Sequence, residues 1–82
     1  METTANATIE NNFTYHAPTH EQAELCEEIR NYARNFAYRI NNYAPNSREK
    51  SLAMTKLEEA VMWANAAIVR YGGQIEVQQK EE

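Results

Sequence analysis

Residues 60–69 read AVMWANAAIV, and Asn65 is the one polar side chain among them. Wound as a helix, this segment is apolar almost all the way round. A helix on the surface of a small protein needs only one apolar stripe, whereas an all-round apolar helix has to be covered on more than one side. The chain has 82 residues in which to do this. That is one domain at most, near the size at which a single core gives only a few kcal/mol of net stability. A wide apolar helix in so short a chain is the strongest constraint on the fold.

Composition narrows the class. Two Gly and two Pro in the whole sequence argue against a turn-rich β architecture. Cys26 is the one cysteine, so no intramolecular disulfide forms. With no redox partner nearby, it reads as a plain helix residue. No stretch resembles a secretory h-region, and no apolar run approaches the roughly 20 residues of a membrane span. The expectation is a soluble protein of a reducing compartment. The formal charge of −4 disfavours nonspecific binding to nucleic-acid polymer. A small anionic ligand needs only a few local cations and stays open.

Residues 1–12 (METTANATIENN) are polar and without periodicity, and are expected to form a mobile arm. FTYHAPT (13–19) sets two aromatics and a histidine ahead of Pro18, which favours a short extended strip. Thr19 with Gln22 has the spacing of a capping box. Leu25, Ile29, Tyr32/Ala33, Phe36/Ala37 and Ile40 then recur at helical spacing, predicting a helix over about 20–42. NNYAPNS (41–47) interrupts it, with Pro45 disfavouring helix at Ala44. A second helix is predicted over about 47–71, with Leu57, Ala60/Val61, Ala64, Ala67/Ile68 and Tyr71 as its seam. Gly72 and Gly73 supply its stop, and residues 74–82 are a polar tail, although Ile75 and Val77 allow a short strand. The expected fold is mainly all-α: an antiparallel two-helix hairpin over 13–73 with a short extended N-terminal segment.

A hairpin buries one stripe per helix. Met54, Met62, Trp63, Ala66 and Val69 carry the apolar surface well past that stripe. A contiguous exposed patch of this kind calls for a partner surface, and a second copy of the chain is the simplest one. The expected interface residues are Leu57, Val61, Trp63, Ala64, Asn65 and Ile68, with Trp63 as the large anchor. Asn65 has two readings. A buried amide fixes register between copies, or it is a hydrogen-bonding ligand contact in a pocket between protomers. Register is the reading adopted for the interface.

The sequence is poor as an enzyme. His16 and His20 are separated by Pro18, no phosphate-binding glycine loop occurs, and no nucleophile–base pair has a third member. Neither a metal nor a cofactor is expected. Binding has more support. Arg30, Arg34 and Arg39 lie on the first helix; Ser47, Arg48, Lys50, Ser51, Thr55 and Lys56 open the second. A helix N-terminus with hydroxyls and cations suits an anion. Phe13, Tyr15, His16, Tyr32, Tyr38 and Tyr43 offer stacking faces nearby in sequence. Cations with aromatic faces suit a compact ligand carrying phosphates and bases. The plainer reading pairs Arg30 and Arg34 with neighbouring glutamates, and Lys56 with Glu59 or Glu49, as solvated helix pairs.

Two stretches, FTYHAPTHEQ (13–22) and SREKSLAMTKLEEAVMWANAAIVR (47–70), resemble the phage sponge proteins that counter CBASS and Thoeris immunity. The resemblance spans most of 13–71. It implies a phage-encoded immune evasion protein acting in the host bacterial cytoplasm. Such a protein holds cyclic nucleotide signals without cleaving them, in a dimer-based homo-oligomer, often a hexamer, with pockets between protomers. The implied ligands are cyclic dinucleotides such as cGAMP, with cyclic trinucleotides at a second site or cyclic ADP-ribose isomers in some members. The chain lacks a longer N-terminal extension found in some anti-Thoeris members, which tilts the expectation toward cyclic dinucleotides. By position, the resemblance implies Tyr15 as a stacking residue opposed by Arg30, and Arg70 as a phosphate or second-site contact. His16, Arg48, Ser51, Thr55 and Lys56 complete the expected ligand set. The rival reading is a non-catalytic helical oligomer that binds a host protein; a small DNA-associated regulator is disfavoured by charge.

Overall fold

The computed structural model describes residues 2–71, with side chains from residue 5 onward. Three helices follow one another: α1 (Glu2–Asn12), α2 (His20–Tyr43) and α3 (Arg48–Tyr71). No strand occurs among the described residues.

The starts and stops of α2 follow from its sequence. The Thr19 hydroxyl accepts from the Gln22 amide at 3.1 Å, while the Gln22 side-chain oxygen accepts from the Thr19 amide at 3.0 Å. This reciprocal pair satisfies two backbone donors that the helix leaves free. At the other end Ala44 is extended, with φ −94° and ψ 134°, as a residue preceding proline should be. Ser47 then caps α3: its Oγ accepts from the Lys50 amide at 3.1 Å and donates to the Pro45 carbonyl at 3.0 Å. Lys50 Nζ donates to the Asn41 carbonyl and to Asn46 Oδ1, both at 3.0 Å. The turn is thereby tied to the last coil of α2.

The two long helices pack antiparallel. Tyr38 shares a cavity with Met54, Arg30 with Met62, and Ala23 with Val69, so positions fall along α2 as they rise along α3. The seam between them consists of Leu25, Cys26, Ile29, Ala33, Ala37 and Ile40 against Met54, Leu57, Val61, Ala64, Asn65 and Ile68, all buried or half-buried. It is thin. Cys26, at 7% exposure, is the one buried apolar side chain among the described residues, and none is fully buried.

Two expectations need correction. The segment 2–12 was expected to lack regular structure, yet it forms α1. Its last turn is closed from outside: the Thr14 hydroxyl donates to the Glu10 carbonyl, and His16 Nε2 donates to the Asn11 carbonyl at 2.7 Å. These bonds to otherwise free carbonyls fix a helix end without any apolar periodicity. The second correction concerns the seam. Tyr32 and Phe36 were placed in it, as were Ala60, Ala67 and Tyr71; all are exposed, Phe36 to 56%. Alanines at 33 and 37 face α3, and at 100° per residue the bulkier neighbours one position earlier turn onto the flank. Of the strip expected over 13–19, residues 13 and 14 form a turn and a bend, 15–19 are irregular, and Thr19 is extended. Gly72, Gly73 and the tail 74–82 lie outside the described residues.

Candidate functional site

A groove runs along one flank of the hairpin, made of three cavities that share lining residues. Near the turn, a cavity of 180 Å³ is lined by Arg34, Ala37, Tyr38, Asn41 and Met54. The middle one, of 280 Å³, adds Arg30, Ala33, Leu57, Glu58, Val61 and Met62. The last, of 470 Å³, lies between Pro18 of the connector and Cys26, Arg30, Met62, Asn65 and Ala66. Arg30 and Met62 belong to the middle and last cavities; Arg34 and Ala37 to the first and middle. The floor is alanine, leucine, valine and methionine. The cations stand at its rim. An apolar floor with a few convergent polar groups is the usual form of a small-molecule site.

The two rim arginines differ in their surroundings. Arg30 pairs with Glu27 at 3.1 Å, both side chains about half exposed. Such a solvated pair contributes only about 0.2–0.5 kcal/mol, so an incoming phosphate displaces it at little cost. Arg34 donates to the neutral Asn31 Oδ1 at 2.8 Å. Its charge therefore has no carboxylate within that bond. Sequence reasoning left Arg34 and Met62 out of the ligand set. The signal was present: Arg30 and Arg34 stand four apart, on the flank beside the inward alanines 33 and 37.

The other expected ligand residues do not converge in one protomer. Tyr15 stands in the connector at 85% exposure, its ring free to stack. His16 is half-buried and already committed to the Asn11 carbonyl. Arg48, Ser51 and Thr55 follow one another at three- and four-residue steps on a single stripe at the start of α3. The α3 N-terminus is less open to an anion than expected, because Ser47 and Lys50 are used in the turn. Lys56 lies on a different stripe and pairs with Glu59 at 3.8 Å. That stripe continues through Trp63 to Arg70, each seven residues after the last. From Arg48 to Arg70 the helix runs about 33 Å. A ligand touching both ends requires more than one copy of α3.

Large apolar side chains are left uncovered, in the groove and beyond it. Trp63 is 64% and Met62 61% exposed. Tyr32, Phe36 and Tyr43 form an exposed aromatic stripe on α2. Among the described residues no group of three or more His, Cys, Asp or Glu side chains converges to hold a metal, and no helix is long and apolar enough to cross a membrane.

The hairpin, its connector and α1 together match one family model, that of the Acb2/Tad1 hairpin domain, over residues 5–69. The chain belongs to the Acb2/Tad1 family. This is the anti-CBASS and anti-Thoeris sponge family that the motifs at 13–22 and 47–70 resemble. No curated protein and no solved structure matches. The hairpin-domain match takes in most of α1, the connector with Tyr15 and His16, both arms of the hairpin and the whole groove. Arg70 falls one residue beyond it.

Proposed function

We propose that this chain binds cyclic nucleotide second messengers of a bacterial host and sequesters them without cleaving them. The observation that carries the reading is the Acb2/Tad1 hairpin-domain match, which spans the connector, both arms and the groove between them. The chemistry is in keeping with it. A cyclic dinucleotide presents two anionic phosphates and two flat bases. Arg30 and Arg34 supply cations at the rim of an apolar groove, and Tyr15 supplies an exposed ring for stacking. The protein works as a phage-encoded immune evasion factor in the host cytoplasm, and no chemical step is asked of it. Cyclic dinucleotides are the preferred ligands, ahead of cyclic trinucleotides and cyclic ADP-ribose isomers.

The working form is a homo-oligomer built from dimers, up to a hexamer. Exposed Trp63, Phe36 and Tyr32, together with a seam holding a single buried apolar side chain among the described residues, leave the isolated hairpin short of cover. Association also brings the Arg70 end of one α3 within reach of groups on another.

Calorimetric titration with a panel of cyclic di- and trinucleotides and ADP-ribose isomers tests the reading. Saturable binding to at least one member is expected, with intact ligand recovered after the protein is heat-denatured. Absence of binding across the panel at micromolar concentration overturns it. A protein that binds none of the panel but remains an oligomer returns the question to a host-protein partner.

A further inference from the structure

One end of the groove lies where α3 ends. Val69 lines the 470 Å³ cavity, and Tyr71 closes the helix two residues later. Gly72 and Gly73 then lead into QIEVQQKEE (74–82). Glycine reaches backbone conformations closed to other residues, so the pair lets the chain reverse its direction. In 74–82 the two apolar residues, Ile75 and Val77, are two apart. That spacing puts both on one side of an extended chain, with Glu76 and Lys80 on the other. The groove offers partners in the same order. From the α3 end toward the turn, its lining passes Val69 and Ala66, then Arg30, then Glu58 with Arg34. Glu58 forms no ion pair among the described residues, and Arg30 holds only an exposed pair with Glu27.

We propose that residues 74–82 fold back along the groove of their own protomer and occupy it when no ligand is bound. Ile75 and Val77 lie against the apolar floor, with Glu76 toward Arg30 and Lys80 toward Glu58. Lengths agree with this register. Glu58 stands thirteen positions before Tyr71, about 20 Å back along α3 at 1.5 Å per residue. An extended stretch from 74 to 80 covers about 20 Å at 3.3 Å per residue, which sets Lys80 level with Glu58. Glu76, about 7 Å along the same path, falls level with Ala66, in the cavity that Arg30 also lines. Tethering favours this occupant over a free peptide, since a short flexible linker gives a local concentration on the order of millimolar. Exposed ion pairs are weak, so the segment is held loosely and leaves when something better arrives. The docking stands apart from the cyclic nucleotide reading. Where it rests on that reading, 74–82 is an intramolecular competitor that the ligand displaces from Arg30.

The test uses the full chain in two arms. In the first, Cys26→Ala removes the native thiol, and Val77→Cys is combined either with Met62→Cys in the groove or with Glu59→Cys, which lines none of its cavities. The ligand-free proteins, their helicity checked by far-UV dichroism, are oxidised with copper phenanthroline and run on a non-reducing denaturing gel. The Met62 pair should form a disulfide within one chain, and the Glu59 pair should form little. Equal trapping at both positions overturns the proposal, and so do disulfides that only join two chains. In the second arm Cys26 is kept, and Ile75→Asp/Val77→Asp is compared with the wild type by calorimetry against 3′,3′-cyclic GMP–AMP. A segment that fills the groove about two-thirds of the time lowers apparent affinity about threefold, so the variant should bind about threefold more tightly. Unchanged affinity overturns the competition. A wild type that binds neither this probe nor any of the panel overturns the function reading, while selective trapping at Met62 still upholds the docking.

Discussion

Trp63→Ala separates folding from assembly in this chain. In the hairpin the indole is 64% exposed, so the protomer itself makes limited use of it. A tryptophan offers roughly 250 Å² of surface; the exposed part is then about 160 Å². Covered completely by a neighbouring copy, that area is worth about 4 kcal/mol per protomer at 25 cal/mol per Å². Ordering and desolvation costs make this an upper figure, and truncation of an anchor residue more often costs about 2–4 kcal/mol. At 1.4 kcal/mol per factor of ten, each copy removed weakens association by about 30- to 1000-fold. Sedimentation velocity at about 10 μM should show the wild type as an oligomer and Trp63→Ala shifted toward smaller species, with far-UV helicity largely kept. An identical sedimentation coefficient for the variant would remove Trp63 from the interface. A monomeric wild type would sink the argument from uncovered surface altogether.

Tyr15→Ala should weaken cyclic dinucleotide binding by about 1–3 kcal/mol in calorimetry, the value of one base stacked on an aromatic ring; unchanged affinity excludes it from the site. Glu27→Gln should raise affinity by up to about twofold by releasing Arg30 from its 3.1 Å pair, an effect that added salt should diminish. Thr19→Ala removes the hydroxyl half of the α2 capping box and should cost about 0.5–2 kcal/mol of stability in urea. That comparison needs equal protein concentrations, because association contributes to the apparent stability.

The long helices were legible because their signals are local. Thr19 and Gln22 form the capping box that their spacing announces, and Pro45 forces Ala44 out of the helix as expected. The first helix escaped because its ending depends on His16 and Thr14 reaching back from the connector to carbonyls at 11 and 10. Such bonds leave no trace in the spacing of apolar residues. The seam was legible only to within a helical turn. Periodicity assigned Tyr32 and Ala33 to one face together, and the structure decides between them by size, with alanine against α3 and tyrosine on the flank.

The candidate site was legible in kind but not in layout. Cations, aromatics and a small anionic ligand follow from the residues present. Their grouping does not, because a single sequence gives no register between α2 and α3. The structure puts Arg30 beside Met62 and Asn65, residues more than thirty positions away, and leaves Arg48 and Arg70 at opposite ends of α3. Asn65 illustrates the consequence. Within AVMWANAAIV it reads equally well as a register amide or a ligand contact, since both require a buried polar atom on an apolar helix. In the hairpin its oxygen is buried and unpaired, while other atoms of the residue border the cavity that Arg30 lines. A register amide meets its counterpart across a subunit interface and gains from symmetry. A ligand contact faces a cation and a space large enough for a base. Affinity and assembly therefore have to be measured on the same variant.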